Sequence, residues 1–207
     1  MVGQAQRMTQ DLVLYDNRES SNARKVRFML GEIGIEARLV DVPLEGERPD
    51  WYRDIHPFAT VPTLVDGDLV LVESNTMLRY LADREGRDDL YPRDPAARAR
   101  VDQLLDVLSL AIRPALWEVE LRSYYAAGPV PQAELAEAVL GLASVLAGWE
   151  RLIKADGYAT GAFSIADIAA TARMWLLPTL PIDLTGAPKT QRLLEVVGAR
   201  PALQAAL

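Results

Sequence analysis

A chain of 207 residues, half of them hydrophobic, is long enough for one large domain or two small ones with well-formed cores. A formal net charge of -7 without any long basic run argues against nucleic acid, whose phosphates are neutralised by clustered Lys and Arg. The absence of cysteine removes disulfides, thiolate metal ligands and a cysteine nucleophile; with His56 the only histidine, a metal would need clustered carboxylates, which the spacing does not offer.

The opening stretch MVGQAQRMTQ is polar and lacks the apolar core of a signal peptide, and no later segment has the apolar length that spans a bilayer. A soluble, cytoplasmic protein with no membrane partner is expected, and whether those first ten residues are ordered stays open. LVLYD (Leu12 to Asp16) reads as a short apolar strand. From Asn22 to Ile33, the residues Val26, Met29, Leu30 and Ile33 recur on one helical face, with Gly34 placed to end the helix in a left-handed conformation. EARLVDV follows as a second strand, and two strands joined through a helix lie parallel with a right-handed crossover. After a broken, loosely helical link around Pro49 to Pro57, PTLVDGDLVLV sets Asp66-Gly67 between two apolar runs, the signal of a two-residue hairpin and an antiparallel pair. Ser74 then opens a helix with Met77, Leu78 and Leu81 inward, closing near Gly86.

GRDDLYPRDP is crowded with charge, proline and turn formers, and every later segment reads as helix. A domain boundary is therefore expected between a βαβ-ββα unit at residues 1–87 and an all-helical unit at residues 94–207, which makes the fold class α/β plus all-α. A long helix from Pro95 to Tyr125 carries Pro114, which should kink it or open one backbone hydrogen bond. GPVP breaks that helix, Gln132 to Lys154 forms the next, and the loop ADGYATGA follows. In FSIADI, Ser164 is placed to cap a helix and Asp167 to reach back to the Ser164 N–H, with Phe163 and Ile168 spaced as a hydrophobic staple. Such a cap is worth about 0.5–2 kcal/mol, and a well-made helix start is expected here rather than a catalytic role.

One stretch resists a purely structural reading. ESSNARKVRFML puts two hydroxyls and an amide ahead of Arg24, Lys25 and Arg27 in the first turns of a helix, where the helix dipole disfavours each cation by about 0.3–1 kcal/mol.

LYDNRESSNARKVRFMLGEIGIEA, HPFATVPTLVDGDLVLVESNTMLRYLAD, FSIADIAA and ARPALQAAL together resemble the glutathione S-transferase family, in order, from Leu12 to Leu207. The specific combination is a Val-Pro before a strand, Glu-Ser eleven residues later, and a capped SIAD helix in the second half. The likeness is to the serine-type, theta- or zeta-like bacterial members. It implies a thioredoxin-like first domain that binds glutathione and a helical second domain that lines the pocket for the other substrate.

By that resemblance Ser20 would donate a hydrogen bond to the glutathione sulfur. Lowering a thiol from about 8.5 by two units takes about 2.7 kcal/mol. A hydrogen bond to a charged acceptor contributes about 1.5–3 kcal/mol, and a helix N-terminus about 0.3–1, which together suffice. Arg24, Lys25 and Arg27 would then raise the positive potential around an anionic ligand. Tyr15, near where the tyrosine-type members keep their hydroxyl, and Ser21 and Asn22, beside Ser20, are alternatives for the sulfur contact; the serine-type motif often has proline where this chain has Ser21.

Val61-Pro62 matches the family's cis-proline, which would turn the Val61 backbone toward the cysteinyl unit of the peptide. Glu73 and Ser74 match an acid-serine pair: the serine and the free N–H groups of its helix would hold the γ-glutamyl carboxylate, and Glu73 would meet the ammonium. Two departures stand out. His56-Pro57 replaces a common Asn-Pro, and Thr60 stands where a Lys or Gln often holds the glycyl carboxylate, so a cationic partner is lost; His56 is read as a structural hydrogen-bonding residue. Arg113 and Trp117, with Glu120, Tyr124 and Trp175, are the candidate lining of the second-substrate pocket, and an Arg113 facing an apolar cleft would point to an anionic or carbonyl-bearing substrate.

The resemblance thus implies glutathione as co-substrate, no metal, a small and largely apolar electrophile as the second substrate, and a homodimer. The rival readings are a scaffold of the same fold that binds ligands or a partner without catalysis, and a specialised thiol-dependent isomerase or lyase.

Overall fold

The fold, taken from a computed structural model, is described for residues 12–44 and 46–207; the first ten residues, whose order the sequence left open, lie outside the described residues. Strand β1 (Leu12–Asp16) is central. It pairs in parallel with β2 (Arg38–Asp41), Val13 opposite Arg38, and antiparallel with β3 (Thr63–Asp66), Leu14 opposite Leu64. The short β4 (Leu69–Leu71) completes a mixed sheet of order β2-β1-β3-β4. The hairpin turns one residue later than the sequence predicts. Asp66 pairs with Leu69, so the two loop residues are Gly67 and Asp68, and Gly67 takes the left-handed φ of 58° that its first position requires.

Helix α1 (Ser21–Ile33) makes the crossover between the parallel strands and ends, as predicted, at a left-handed Gly34 with φ 68°. Its burial is wider than one apolar stripe, because Ala23, Lys25, Val26, Phe28, Met29 and Leu30 are all buried. The reason is its position. Helix α2 (Asp50–Ile55) is the loose link, and α3 (Ser74–Arg84) packs on α1 from the first half. From the second half α1 is covered by α7 (Ile165–Met174) and α9 (Pro201–Ala206). A side chain at Gly31 would place its Cβ 3.0 Å from the Ala202 Cβ, so glycine there lets α9 pack closely without displacing Ala202.

The helix expected over Pro95 to Tyr125 is three pieces: α4 (Pro95–Val107), a π-helical turn over Leu108–Ile112, and α5 (Arg113–Arg122). Pro114 has no N–H to give, and the widened turn lies immediately ahead of it. Helix α6 (Gln132–Leu152) returns along α5, and α8 (Pro188–Gly198) lies between α7 and α9 in the chain. Leu14, Val26 and Met29 from the first half belong to one continuous apolar core with Leu105, Ile168 and Leu203 from the second. Polar ties reinforce it: Arg200 grips Glu32 through two bonds of 2.7 Å, and Ile165 N–H donates to the Leu90 carbonyl at 3.0 Å. Among the described residues no helix is long and apolar enough to cross a membrane.

Asp167 fulfils the reach-back predicted from FSIADI. Its buried carboxylate accepts from the Ser164 N–H at 2.8 Å, from the Ser164 hydroxyl at 2.8 Å and from the Ala159 N–H at 2.6 Å. Burial pushes this carboxyl up to about 6 against the pull of those donors. Asp167→Ala leaves three donors without an acceptor and is expected to destabilise the protein by about 2–4 kcal/mol, read as a lowered urea midpoint with an unchanged slope; an unchanged midpoint would show that the cap contributes nothing.

Candidate active site

Two adjoining cavities open between the halves and share Asn22, Thr60, Val61 and Arg113. The larger, of about 530 Å3, has Ser20 and Ser21 from the N-terminus of α1 on one wall and Trp117, Tyr125 and Leu176 on another. The smaller, of about 280 Å3, is bounded by Lys25, Pro62, Glu73, Ser74 and Ser109. Every residue of the sequence-predicted set Ser20, Thr60, Val61, Pro62, Glu73, Ser74, Arg113 and Trp117 therefore borders one cavity or both.

At the start of α1, Ser20 is the capping residue, and its Oγ accepts the Ala23 N–H at 3.2 Å. Its own O–H has no acceptor among the described residues and stays available to a ligand. Ser21 Oγ accepts from Arg173 at 3.1 Å, and Asn22 Oδ1 accepts from the Ser74 hydroxyl at 3.5 Å. Tyr15 borders neither cavity. It packs with Trp51 and Tyr52, ring centroids 6.0 and 5.7 Å away, against the small cluster of Ala23, Val42 and Val61.

The smaller cavity is built from three backbone features. The Val61-Pro62 bond is cis. Glu73, not Ser74, holds the capping position of α3, with φ 69° and ψ 108°, and Ser74 is the first helical residue. A non-glycine residue in that left-handed region is strained by about 1–3 kcal/mol, and no side chain caps the helix, which leaves its first N–H groups as open donors. Lys25, the one residue here whose burial α1's predicted stripe did not announce, is 4% exposed and donates to Ser74 Oγ at 3.3 Å and Asn75 Oδ1 at 3.2 Å.

The cation run of α1 splits by position. Lys25 faces the smaller cavity and Arg24 the larger, whereas Arg27 is ion-paired with Asp16 and donates to the Ala206 carbonyl at 3.1 Å, away from both. Arg48 also borders the larger cavity, so its lining includes a cation that Thr60 itself does not offer. Thr60 Oγ1 lies 3.0 Å from His56 Nε2, and His56 Nδ1 accepts the Phe58 N–H at 3.1 Å. Nε2 therefore carries the proton of the neutral ring, and burial holds His56 below its ordinary value. Tyr124, 59% exposed, and Trp175, packed on Gly198, border neither cavity; their chain neighbours Tyr125 and Leu176 do. Lys25 could have been found in the sequence, since it lies four residues before Met29 on the same helical face, but nothing local marks Arg48.

The glutathione S-transferase N-terminal domain model matches residues 14–89. Glutathione S-transferase F10 of Arabidopsis thaliana is 34% identical over 166 residues, covering 76% of this chain and 77% of that protein. Glutathione S-transferase theta-3 of Mus musculus is 31% identical over 172 residues, 79% of this chain and 71% of that protein. The chain belongs to the glutathione S-transferase family. The theta-class glutathione S-transferase of Xanthomonas axonopodis pv. citri, solved with glutathione bound, superposes on this family member with a TM-score of 0.84 at 28% identity, over 94% of this chain and 96% of that one.

Between α5 and α7 this transferase-family chain buries an ion pair beside the larger cavity: Arg173 meets Glu120 at 2.8 Å, the side chains 8% and 3% exposed. Glu120→Ala strands a buried guanidinium and is expected to cost about 3–5 kcal/mol. Pairing Glu120→Leu with Arg173→Met recovers most of that loss; a urea-denaturation double-mutant cycle measures both, and equal midpoints for Glu120→Ala and wild type would contradict it.

Proposed function

We propose that this glutathione S-transferase family member is a glutathione transferase that seats reduced glutathione across both cavities, ionises its thiol at Ser20 and directs the thiolate at a small electrophile in the larger cavity. In this reading residues 1–87 form the glutathione-binding domain and residues 94–207 line the second-substrate pocket. The observation that carries it is the unused Ser20 O–H at the N-terminus of α1, on the wall of a cavity that adjoins the cis Val61-Pro62 bond and the open N-terminus of α3.

The chemistry follows from those groups. Ser20 and the α1 N-terminus favour the thiolate, and the thiol proton leaves to solvent. The sulfur electron pair forms the S–C bond, and the leaving group departs with the pair of the bond it breaks. The Val61 backbone pairs with the cysteinyl unit, Ser74 and the α3 N–H groups hold the γ-glutamyl carboxylate, and Glu73 meets the ammonium. Arg48 takes the glycyl carboxylate that Thr60 cannot attract. Trp117, Tyr125 and Leu176 give the electrophile an apolar wall, with Arg113 at its polar edge. Holding the two reactants together supplies the rest of the rate gain.

Ser20→Ala should raise the thiol of bound glutathione by about 1–2 units, followed by ultraviolet titration of the thiolate, and lower turnover at pH 7 by about 3- to 25-fold. Tyr15→Phe, outside both cavities, should change neither. A thiol as acidic in Ser20→Ala as in wild type overturns the assignment, and failure of the wild type to be retained on immobilised glutathione favours the non-catalytic scaffold.

The same reading pairs two copies. Phe58, 77% exposed, projects from the first half, and an open groove of about 570 Å3 runs along α4 and the π turn past Ala99, Val107, Leu110 and Ala111. A homodimer that seats Phe58 of each copy against Val107 and Leu110 of the partner's groove, whose lining also holds Asp102, Gln103 and Asp106, buries an exposed aromatic ring. Sedimentation equilibrium should give a dimer for wild type and a large shift to monomer for Phe58→Asp; a monomeric wild type sinks the pairing.

A further inference from the structure

The smaller cavity contains a charge that the fold leaves unneutralised. Lys25 is buried on α1, and the two acceptors it reaches, Ser74 Oγ and Asn75 Oδ1, are neutral. Among the described residues no carboxylate lies within ion-pair distance of its Nζ. The Lys25 site is held in place from the other half of the molecule. Asn75 Nδ2 donates to the Leu105 carbonyl at 3.1 Å and to Ser109 Oγ at 3.0 Å, which turns Asn75 Oδ1 toward Lys25. Burying an ammonium with no counter-ion is unfavourable, and replacing it with an apolar side chain of similar size is often stabilising. A buried lysine that borders an open cavity and stands beside uncapped helix N–H groups is half of an ion pair.

We infer that Lys25 supplies the counter-ion for the carboxylate that glutathione seats at the N-terminus of α3, so that filling the cavity completes a buried ion pair whose cationic half is already in place. The inference rests on the glutathione reading proposed above. Ser74 links the partners: its oxygen accepts from Lys25, while its O–H, only loosely engaged with Asn22 at 3.5 Å, is free to turn to the ligand.

A proton linkage follows. Burial pushes free Lys25 down to about 7, Arg173 on α7 and Arg113 on α5 push the same way, and Glu73 at the start of α3 opposes them. His56, which bonds the cavity residue Thr60, is held low by burial. A bound carboxylate raises the Lys25 value, so the ligand binds the protonated form. With a free value of about 7, that form falls from about 90% of the protein at pH 6 to about 10% at pH 8. Affinity should weaken about tenfold over that interval, with close to one proton taken up per ligand at pH 8.

The probe is S-methylglutathione, which has no thiol to ionise, measured by isothermal titration calorimetry at pH 6, 7 and 8 in phosphate and in Tris, buffers of different ionisation enthalpy. Wild type should show the tenfold weakening and the proton uptake. Lys25→Met should bind at least tenfold more weakly at pH 6, lose the proton uptake, and melt no lower than wild type. The ligand's own ammonium titrates equally in both proteins, so their difference belongs to Lys25. Binding of S-methylglutathione at pH 6 as tight in Lys25→Met as in wild type overturns the inference while leaving glutathione binding intact. Absence of S-methylglutathione binding at every pH overturns the reading of the cavity and the inference with it.

Discussion

The enclosure of α1 is the constraint on which the rest of the molecule depends. A helix packed by a sheet on one side and by α3, α7 and α9 on the others cannot slide or rotate without breaking several contacts at once. Gly31 lets α9 close on it, Gly34 ends it, and Arg27 ties its flank to Asp16 and to the C-terminal helix. The N-terminus of α1 is thereby set at the cleft with little freedom, and a helix N-terminus is where unpaired N–H groups and the positive end of the dipole coincide. Packing that stabilises the fold and electrostatics that favour an anion are consequences of the same placement.

The cleft is also where the two halves are joined by polar bonds rather than by apolar contact alone. Lys25 reaches Asn75, which reaches the Leu105 carbonyl and Ser109 at the π turn. Arg173 of α7 joins Glu120 of α5 and then Ser21 at the start of α1. Buried polar networks of this kind tolerate few alternative arrangements, since each broken bond leaves a donor or acceptor dry. They hold the cavity walls in register across elements distant in the chain. The Pro114 region contributes through its altered geometry: the widened turn brings Ser109 within reach of Asn75.

How far the site was legible in the sequence varies with the range of the forces involved. Gly34, the reach-back of Asp167 to Ser164 and the parallel β1-β2 pair were legible because each depends on residues within a few positions or on a general chirality rule. The hairpin was misplaced by one residue because Asp-Gly and Gly-Asp loops compete within VDGDL, and pairing with β1 decides the register. Ser74 opens α3 as the sequence suggests, but Glu73 holds the capping position before it in a conformation that no propensity predicts. Tyr124 and Trp175 were candidate pocket residues, and the structure puts their chain neighbours Tyr125 and Leu176 on the cavity wall instead, beyond the ends of α5 and α7.

By itself the sequence determined the order of strands and helices in the first half and the absence of any thiol chemistry of the protein's own, because alternation, capping and turn chemistry act over short distances. Only the tertiary structure decided that Ser20, Ser21 and Asn22 border the cleft while Tyr15 does not, and which member of a three-cation run is buried without a counter-ion. Those outcomes turn on desolvation and on contacts between residues about 50 to 150 positions apart, such as Lys25 with Ser74 and Ser21 with Arg173, which no local pattern encodes.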